Sequence, residues 1–393
     1  MNRLNKILPP FAPDYSGVCS VLYGLGGMTV IHGPEGCTGN YTGYDEPRWF
    51  GADVETVGSG LREIDAILGN EERVISQIKE AAKRSKPAFI CITGTPIPMM
   101  TGTDFKGIAA EVEYETGIPS FGISTTGFAY YDAGASAAML AYIKKFGKIQ
   151  TQKENTIGIL GVNAIDFSHR EMLCDLKREC EKRGFSVTAS LCMDASPEQI
   201  REICSVSVNL VVSGSGLQTA QYLYEKFEIP YVTGIPIGKT ASDLVFETVK
   251  RSAFDHVCRN VILQPQAAGG RILILGERVM ANSIRNCLIA DHGISGIQVC
   301  SIFTPHPEWM LPGDVHADGE KEIAEAMREK NGALVIGDPL FHRLIPGMQE
   351  DTFLDFPIQA VSSKVYRDGQ WNLIGERAEL FAQEIERKMR RKG

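Results

Sequence analysis

Short apolar segments alternate with amphipathic segments along almost the whole chain, and this alternation constrains the fold more than any other feature. Residues 156–162 (TIGILGV) and 271–276 (RILILG) are typical of buried strands with glycine at or near their ends. Residues 71–86 instead space their apolar side chains as an amphipathic helix does. Strands that are joined through helices pair in parallel, with right-handed crossovers. The sequence therefore predicts an α/β fold with mostly parallel sheets.

The alternation occurs three times, which predicts three Rossmann-like domains. The chain has 393 residues, enough to build a separate core in each of them. The predicted domains cover residues 1–150, 151–265 and 266–393, and the third ends in an amphipathic helix at 376–391. A polar stretch at 150–155 marks the first boundary.

The same pattern predicts the main elements inside each domain. In the first domain, residues 127–146 are predicted as a long helix that opens with small residues. In the second, residues 168–183 are predicted as the helix that follows the first strand. In the third, the apolar residues 356–362 are predicted as the closing strand.

The composition disfavours several classes of protein. Hydrophobic residues make up 44% of the chain and charged residues 22%, which is typical of a folded domain and not of a disordered tail. A net charge of −8 argues against binding to nucleic acid. The amino terminus lacks the apolar run of a signal peptide, and no stretch approaches the ~20 apolar residues of a membrane span. We therefore expect a cytoplasmic protein whose ten cysteines are reduced thiols.

Three of the cysteines lie beside glycine-rich turns in the first hundred residues. Cys19 precedes the turn 24–27 (GLGG), Cys37 follows an apolar strand, and Cys91 lies in the apolar segment 88–94. Cys37 and Cys91 are thus expected at the carboxyl ends of strands, where open α/β sheets bind their ligands. Soft thiolates are the ligands that iron–sulfur clusters select. The spacing alone leaves open the alternative that all three are small buried hydrophobic residues.

The residues around these cysteines resemble nitrogenase component 1. This family includes the molybdenum–iron protein subunits and the dark-operative tetrapyrrole reductases. The resemblance is carried by Cys19 and by segments 32–37 (HGPEGC), 61–69 (LREIDAILG) and 91–94 (CITG), in this order. It runs through most of the chain and is strongest over the first 130 residues or so. It implies the same three-domain architecture that the alternation predicts.

The resemblance also implies a cofactor and partners. Cys19, Cys37 and Cys91 match the family's ligands to a [4Fe-4S] cluster, or to a larger iron–sulfur cluster, at a subunit interface. The fourth ligand would come from the other subunit or from a local carboxylate such as Asp14. The chain has no P-loop motif of its own, so electrons would come from a separate ATP-dependent P-loop iron–sulfur reductase. A sister subunit or a second copy of this chain completes the implied assembly.

The chain departs from the molybdenum–iron catalytic subunit at two positions. Where that subunit has a cofactor-binding cysteine, this chain has 212–215 (VSGS), and 356–360 (FPIQA) near the end offers no histidine. We therefore expect a nitrogenase-like reductase with another substrate, bound in a pocket between the three domains. Two alternatives remain: a non-catalytic scaffold for assembly of a metal cofactor or cluster, and a cluster-free binding protein.

Other motifs carry weaker predictions. The turn 213–216 (SGSG) is suited either to anion binding or to a plain strand-to-helix connection. In the loop 303–310, His306 is a candidate proton donor or metal ligand and Trp309 a candidate ring-stacking residue, and Arg343 is suited to a carboxylate. The remaining cysteines are predicted to pack in the core: Cys174, Cys180, Cys192, Cys204, Cys258, Cys287 and Cys300.

Overall fold

The computed structural model describes residues 5–49, 55–148, 151–167, 170–264, 270–330, 332–366 and 371–391. These residues form three parallel β-sheets, each covered by helices. The predicted α/β class with mostly parallel sheets is therefore confirmed. Within the described ranges no helix is long and apolar enough to cross a membrane.

The first unit is built on a four-stranded sheet. Its strands are β1 (Met28–His32), β2 (Glu55–Gly58), β3 (Ile90–Gly94) and β4 (Ser120–Ile123). They lie in the order β2-β1-β3-β4. The helices of this unit are α1 (Asp14–Leu22), α2 (Glu35–Asn40), α3 (Glu63–Leu68), α4 (Glu71–Ser85), α5 (Pro96–Thr101), α6 (Phe105–Thr116) and α7 (Tyr131–Phe146).

The second unit contains a five-stranded sheet in the order β6-β5-β7-β8-β9. Its strands are β5 (Thr156–Leu160), β6 (Ser186–Ser190), β7 (Val208–Val211), β8 (Tyr231–Thr233) and β9 (Arg259–Asn260). Its helices are α8 (Arg170–Lys182), α9 (Pro197–Arg201), α10 (Leu217–Phe227) and α11 (Thr240–Asp255).

The third unit repeats this arrangement in the order β12-β11-β10-β13-β14. Its strands are β10 (Ile272–Gly276), β11 (Ile297–Ser301), β12 (Val315–His316), β13 (Leu334–Gly337) and β14 (Phe353–Asp355). Its helices are α12 (Arg278–Ala290), α13 (Glu320–Glu329), α14 (Gln359–Ser362) and α15 (Ala378–Arg391). Helix α15 buries Phe381, Ala382 and Ile385 in a core shared by the second and third units.

The first strand of each unit lies inside its sheet, between the second strand on one side and the next parallel strand on the other. At such a position the connections that follow two neighbouring strands run to opposite faces of the sheet. A crevice therefore opens between them at the carboxyl ends of the strands. These strands are β1, β5 and β10, and the segments that follow them begin at residues 33, 161 and 277. Those segments are where the fold favours a binding site.

Helices α1 and α7 pack against each other through two glycines. A Cβ atom on Gly17 would lie 1.8 Å from the Tyr131 carbonyl oxygen, and one on Gly134 would lie 1.8 Å from the Asp14 carbonyl oxygen. Both distances are far below van der Waals contact, so any side chain at either position would push the helices apart. The absence of side chains at these positions therefore permits the close approach.

Two predicted elements differ from the structure. The predicted strand 356–362 is wrong: the last strand is β14, and Gln359–Ser362 forms a short helix. Asp338 causes this turn, because its carboxylate accepts hydrogen bonds from the Ile358 N–H (2.8 Å) and the Ser362 hydroxyl (2.6 Å). The predicted helix over 127–146 begins later, at Tyr131.

The delayed start of α7 also has a local cause. The Asp14 carboxylate accepts hydrogen bonds from the N–H groups of Thr126 (2.7 Å) and Gly127 (2.8 Å), which holds this segment as a loop. Gly127 has a left-handed φ of +69°, outside the helical range. The predicted boundary residues 150 and 265, and the predicted helix start at residue 168, lie outside the described residues.

We predict that Gly17→Ala destabilises the protein, because the added methyl group overlaps the backbone of α7. Overpacking of this kind costs about 1–3 kcal/mol, and occasionally more. The matched control is Gly39→Ala in α2, where an added Cβ meets nothing within 4 Å. Denaturant unfolding of the two variants checks the prediction; equal midpoints would show that the two helices can separate without cost.

Candidate functional site

The three predicted ligand cysteines lie in one region of the first unit. Cys19 is in α1, Cys37 is in α2 just beyond the end of β1, and Cys91 is in β3. The prediction that Cys91 ends its strand is wrong, because it is the second residue of β3 and pairs with Thr29 of β1. Its side chain is therefore inside the sheet core, below the edge where Cys37 lies.

Tyr15 lies between two of these thiols. It packs in one cluster with Cys19 and Ile31, against which Cys37 also packs. Burial, together with the neighbouring Cys37 and Asp45, raises the pKa of Tyr15. Tyr15 therefore remains a neutral phenol beside the Cys37 thiol.

The two inner thiols are strongly desolvated. Cys19 and Cys91 are fully buried, and burial raises the pKa of both. The Cys91 thiol is also close enough to Cys19 to raise its pKa further, as are Glu46 and Asp45. These surroundings favour the neutral thiols, and a nearby cationic metal centre is what would deprotonate them.

The donor set fits an iron–sulfur cluster better than a single metal ion. Among the residues that the structure describes, no three His, Cys, Asp or Glu side chains are placed to hold one ion. The thiolate ligands of a cluster lie further apart than the ligands of a single ion, and a cluster favours soft sulfur donors. Cys37 is only half-buried, so a ligand from outside the chain has access to this side of the region.

A buried ion pair fixes the loop that covers Cys19. Glu46 is fully buried and binds Arg48 through two hydrogen bonds of 2.6 and 2.9 Å. Arg48 also donates to the Ser20 carbonyl of α1 (2.8 Å) and lies 4.1 Å from the ring centroid of Tyr23. These contacts tie residues 46–48 to the helix that carries Cys19.

Asp14 does not fit the role of a fourth ligand. Its oxygen atoms accept the N–H groups of Tyr15, Thr126 and Gly127 and the Thr126 hydroxyl, at 2.7–3.0 Å. The carboxylate is therefore already engaged in holding the loop before α7.

Cys37 opens onto a wide groove of about 730 Å³. The groove is largely apolar, and its edge includes Tyr44, which is 64% exposed, and Val365, which is 73% exposed. Arg343 also lines it, so this predicted carboxylate-binding residue lies on the Cys37 side of the molecule. Exposed apolar surface of this kind is typical of a protein interface.

A second site lies where the three units meet. Three hydrogen bonds join the units pairwise there: the Tyr131 hydroxyl donates to Asp166, the Gly214 N–H to Glu277 (3.0 Å), and the Thr304 N–H to Asp132 (2.8 Å). Asp132 lies in the first turn of α7, Glu277 directly precedes α12, and Asp166 follows β5. A polar centre of buried carboxylates thus joins the three units.

The surroundings of these carboxyl groups shift them toward their protonated forms. Burial raises the pKa of Asp132, Asp166 and Glu277, and the approach of Glu277 contributes to a pKa of about 8 for Asp166. The positive group nearest to them is His306, whose charge would favour ionisation of Glu277 and Asp132. At neutral pH the centre therefore holds at least one proton that an exposed carboxylate would lose.

A narrow cavity of about 50 Å³ borders this centre. Its polar wall is formed by Asp166, Glu277 and Gln359, and Phe356 and Trp371 contribute aromatic surface. Gln359 also lines the groove beside Cys37, so this residue borders both spaces.

Three of the weaker predictions can now be compared with the structure. The turn 213–216 binds a carboxyl group, which is that of Glu277 in the third unit. His306 lies at the polar centre, whereas Trp309 is only 1% exposed and donates to Asn260 (3.1 Å). Trp309 is therefore a core residue and does not offer a free ring face.

Five of the other seven cysteines agree with the packing prediction. Cys180, Cys192, Cys204, Cys287 and Cys300 are buried, and Cys174 and Cys258 are half-buried. Burial raises the pKa of each of the five buried thiols, which makes them unreactive.

Sequence reasoning missed Asp166 and Glu277. A signal for Glu277 was present, because it directly follows an apolar strand and caps the next helix by accepting the Met280 N–H (2.9 Å). Asp166 lies six residues beyond β5, and only the meeting of three separate units brings it to Glu277.

Comparison with known proteins identifies relatives of this chain. The family described as nitrogenase component 1 type oxidoreductase matches residues 14–338. A nitrogenase iron-molybdenum cofactor biosynthesis protein NifE from Clostridium pasteurianum is 29% identical over 210 residues, which are 52% of this chain and 45% of that protein. The nitrogenase molybdenum-iron protein alpha chain of the same organism is 28% identical over 242 residues, covering 57% and 43% of the two chains.

Further relatives extend the comparison. A subunit of the light-independent protochlorophyllide reductase of a Synechococcus strain is 25% identical over 309 residues, covering 68% of this chain and 61% of that one. The solved structure of nitrogenase Cp1 at pH 5 has the same fold, with a TM-score of 0.55 at 20% identity over 81% of this chain and 69% of that chain. The chain spans about half the length of the curated relatives it matches.

We predict that stability falls as pH rises through the range from about 4 to about 8. Folded Asp166 keeps its proton up to a pKa of about 8, whereas the unfolded chain loses it near 3.8, so the folded state binds more protons between these values. The contribution of this proton to the free energy of unfolding is complete below a pH of about 4 and is lost as the pH passes about 8. Between these values it falls by at most about 1.4 kcal/mol per pH unit.

Asp166→Asn should reduce this slope, because the amide does not titrate. Urea unfolding of wild type and variant at several pH values measures it, and the exposed Glu325→Gln serves as the control. An unchanged slope in Asp166→Asn would show that Asp166 is ionised in the folded protein.

Proposed function

Given that this chain belongs to the nitrogenase component 1 type oxidoreductase family, we propose that it is a subunit of a nitrogenase-like reductase. In this proposal Cys19, Cys37 and Cys91 bind a [4Fe-4S] cluster, or a larger iron–sulfur cluster at a subunit interface. Electrons reach it from an ATP-dependent iron–sulfur reductase and reduce a substrate bound nearby. The observation that carries the proposal is the grouping of these three thiols in one desolvated region of the first unit.

Each residue of the region has a defined task. When bound, an iron–sulfur cluster accepts and passes on single electrons. Cys19 and Cys91 would hold it from the buried side, where water is excluded. Tyr15, a neutral phenol beside Cys37, would donate a hydrogen bond to its sulfur atom, which would withdraw charge from that ligand and raise the reduction potential.

In this proposal the substrate binds where the three units meet, at the cavity beside Gln359. Gln359 also lines the groove onto which Cys37 opens. The protonated carboxyl groups at the polar end of the cavity would supply protons to a substrate as it is reduced. His306, which lies near Glu277 and Asp132, would return protons to these groups.

The proposed partners follow from the same region. Cys37 is half-buried at the edge of an exposed apolar groove, which supports completion of the cluster by a sister subunit or a second copy of this chain. An ATP-dependent P-loop reductase, similar to the nitrogenase iron protein, would dock on the assembled oligomer. In this proposal the chain divides into three domains, with boundaries near residues 150 and 265.

The second candidate is a non-catalytic scaffold on which a metal cofactor or cluster is assembled. It is favoured by the similarity to NifE, whose name describes cofactor biosynthesis. A cluster-free binding protein, in which the cysteines only pack, is the third candidate.

We predict that Cys37→Ala loses its bound iron. Anaerobically purified wild type, co-expressed with its neighbouring genes, should contain about four iron atoms per [4Fe-4S] cluster and absorb broadly in the visible range. Removing one thiolate leaves an iron without its ligand, so the variant should retain a small fraction of this iron and sulfide. Cys174→Ala on α8, also half-buried, is the matched control and should keep the wild-type content. Full iron content in Cys37→Ala would refute the ligand assignment, and iron-free wild type would favour the cluster-free binding protein.

Electron transfer separates the reductase from the scaffold. With the ATP-dependent partner and a reductant, we expect the cluster signal in electron paramagnetic resonance to appear only when ATP is present. Hydrolysis of ATP by the partner should then increase when this chain is added. A cluster that forms normally but is never reduced, and that instead passes to an acceptor protein, would identify a scaffold.

A further inference from the structure

Asp45 is a buried carboxylate beside the cysteine region. It is the last residue of the π-helical turn Tyr41–Asp45, which directly follows α2, the helix that carries Cys37. Such turns are rare and are frequently found at functional sites. Asp45 is only 6% exposed, and it lines the groove onto which Cys37 opens, together with Tyr15 and Asn40. Among the described residues that line this groove, Asp45 is the only acidic one.

The donors that hold Asp45 belong to the two helices that carry Cys19 and Cys37. Ser16 Oγ of α1 (2.6 Å) and Asn40 Nδ2 of α2 (2.9 Å) both donate to its Oδ2 atom. Ser16 lies three residues before Cys19, and Asn40 lies three residues after Cys37. Side chains three residues apart are neighbours on the surface of a helix. The carboxyl group is therefore held between the helix faces on which these two thiols lie.

One oxygen of this carboxyl group remains available. Among the described residues, no group donates a hydrogen bond to Asp45 Oδ1, and both donors to Oδ2 are neutral. Burial raises the pKa of Asp45 to about 7, and the charge of Lys364 offsets only part of this shift. Bound iron would favour the ionised form, as it does for the neighbouring thiols. Asp45 thus offers a buried oxygen ligand that its own surroundings leave free.

The other carboxylates of this region are less suited. Both oxygen atoms of Asp14 already hold the loop before α7. Both oxygen atoms of Glu46 accept hydrogen bonds from the Arg48 guanidinium, so this carboxylate is already balanced. Glu35 is exposed and lies two residues before Cys37, a spacing at which helix side chains do not face each other. None of the three offers a buried oxygen atom that is free to bind iron.

We propose that Asp45 is the fourth ligand of the cluster and binds one iron atom through Oδ1. The other three iron atoms are held by the thiolates of Cys19, Cys37 and Cys91. This inference rests on the proposed function, because it completes the ligand set of the same cluster. Metal ligands must be deprotonated, so the carboxyl group releases its proton when iron binds. The cluster is then held by one chain, and the partner subunit covers the groove without supplying a ligand.

Two substitutions at this position test the assignment. Asp45→Asn keeps the size of the side chain but gives a poor iron ligand, whereas Asp45→Cys supplies a thiolate. After anaerobic purification and co-expression with the neighbouring genes, wild type and Asp45→Cys should contain about four iron atoms per cluster, and Asp45→Asn about three. An oxidised three-iron cluster is paramagnetic and an oxidised four-iron cluster is not. Electron paramagnetic resonance of the oxidised samples should therefore show a signal in Asp45→Asn alone.

Two further measurements support the comparison. Ser16→Ala removes the hydrogen bond to Oδ2 but leaves Oδ1 in place, so this control should keep the four-iron cluster. Wild type labelled with ¹³C-aspartate requires no substitution, and it serves if Asp45→Asn fails to fold. Electron–nuclear double resonance of its reduced cluster should show coupling to a carboxylate carbon.

Four iron atoms in Asp45→Asn, or no carboxylate coupling in the labelled wild type, would overturn the inference and identify a ligand from the partner subunit. A three-iron cluster in wild type would overturn it as well. The same samples separate the inference from the proposed function. A cluster that depends on Asp45 but is never reduced by the ATP-dependent partner supports the inference and removes the reductase. A reducible four-iron cluster in Asp45→Asn does the reverse, and iron-free wild type removes both.

Discussion

The close contact between α1 and α7 is the constraint on which both candidate sites depend. It exists because Gly17 and Gly134 have no side chains, so each helix lies directly on the backbone of the other. Helix α1 carries Cys19 and, at its start, the carboxylate that holds the loop before α7. Helix α7 begins with Tyr131 and Asp132, which reach the second and third units. If the two helices moved apart, the cysteine region and the polar centre would lose their positions together.

Both sites also share an electrostatic character. Each contains several groups that become anionic on ionisation, and burial raises their pKa values. Burying such groups as anions without compensation costs several kcal/mol per ion, so the protonated forms are favoured. An iron–sulfur cluster bound at the thiols would reverse this balance for Cys19 and Cys91, because a metal centre favours the thiolate form.

The sequence was sufficient to predict the architecture, because each buried strand is a compact apolar run and each helix has its own periodicity. The motifs around Cys19 and Cys37 likewise indicated a common region, and the structure packs these two residues in one cluster. The predicted position of Cys91 at the end of its strand was wrong, because an apolar run does not show where along its length the strand pairing begins. The strand over 356–362 was wrong because Asp338 imposes a turn through contacts that lie some 20 residues away in the chain. Asp166 and Glu277 were missed for a related reason. In the sequence, one simply follows a strand and the other caps a helix, and only the folded chain brings the two carboxyl groups together.

Gln359 faces both sites and links them. Its amide nitrogen holds the main chain at Tyr44 and Asp45, the latter hydrogen-bonded to Ser16 of α1 (2.6 Å). Its oxygen is buried and has no hydrogen-bond partner among the described residues. A hydrogen bond donated to this oxygen would polarise the amide and strengthen its bonds to the main chain at Tyr44 and Asp45. A change at the cavity would therefore reach the loop that follows Cys37 through one side chain, which lines both spaces.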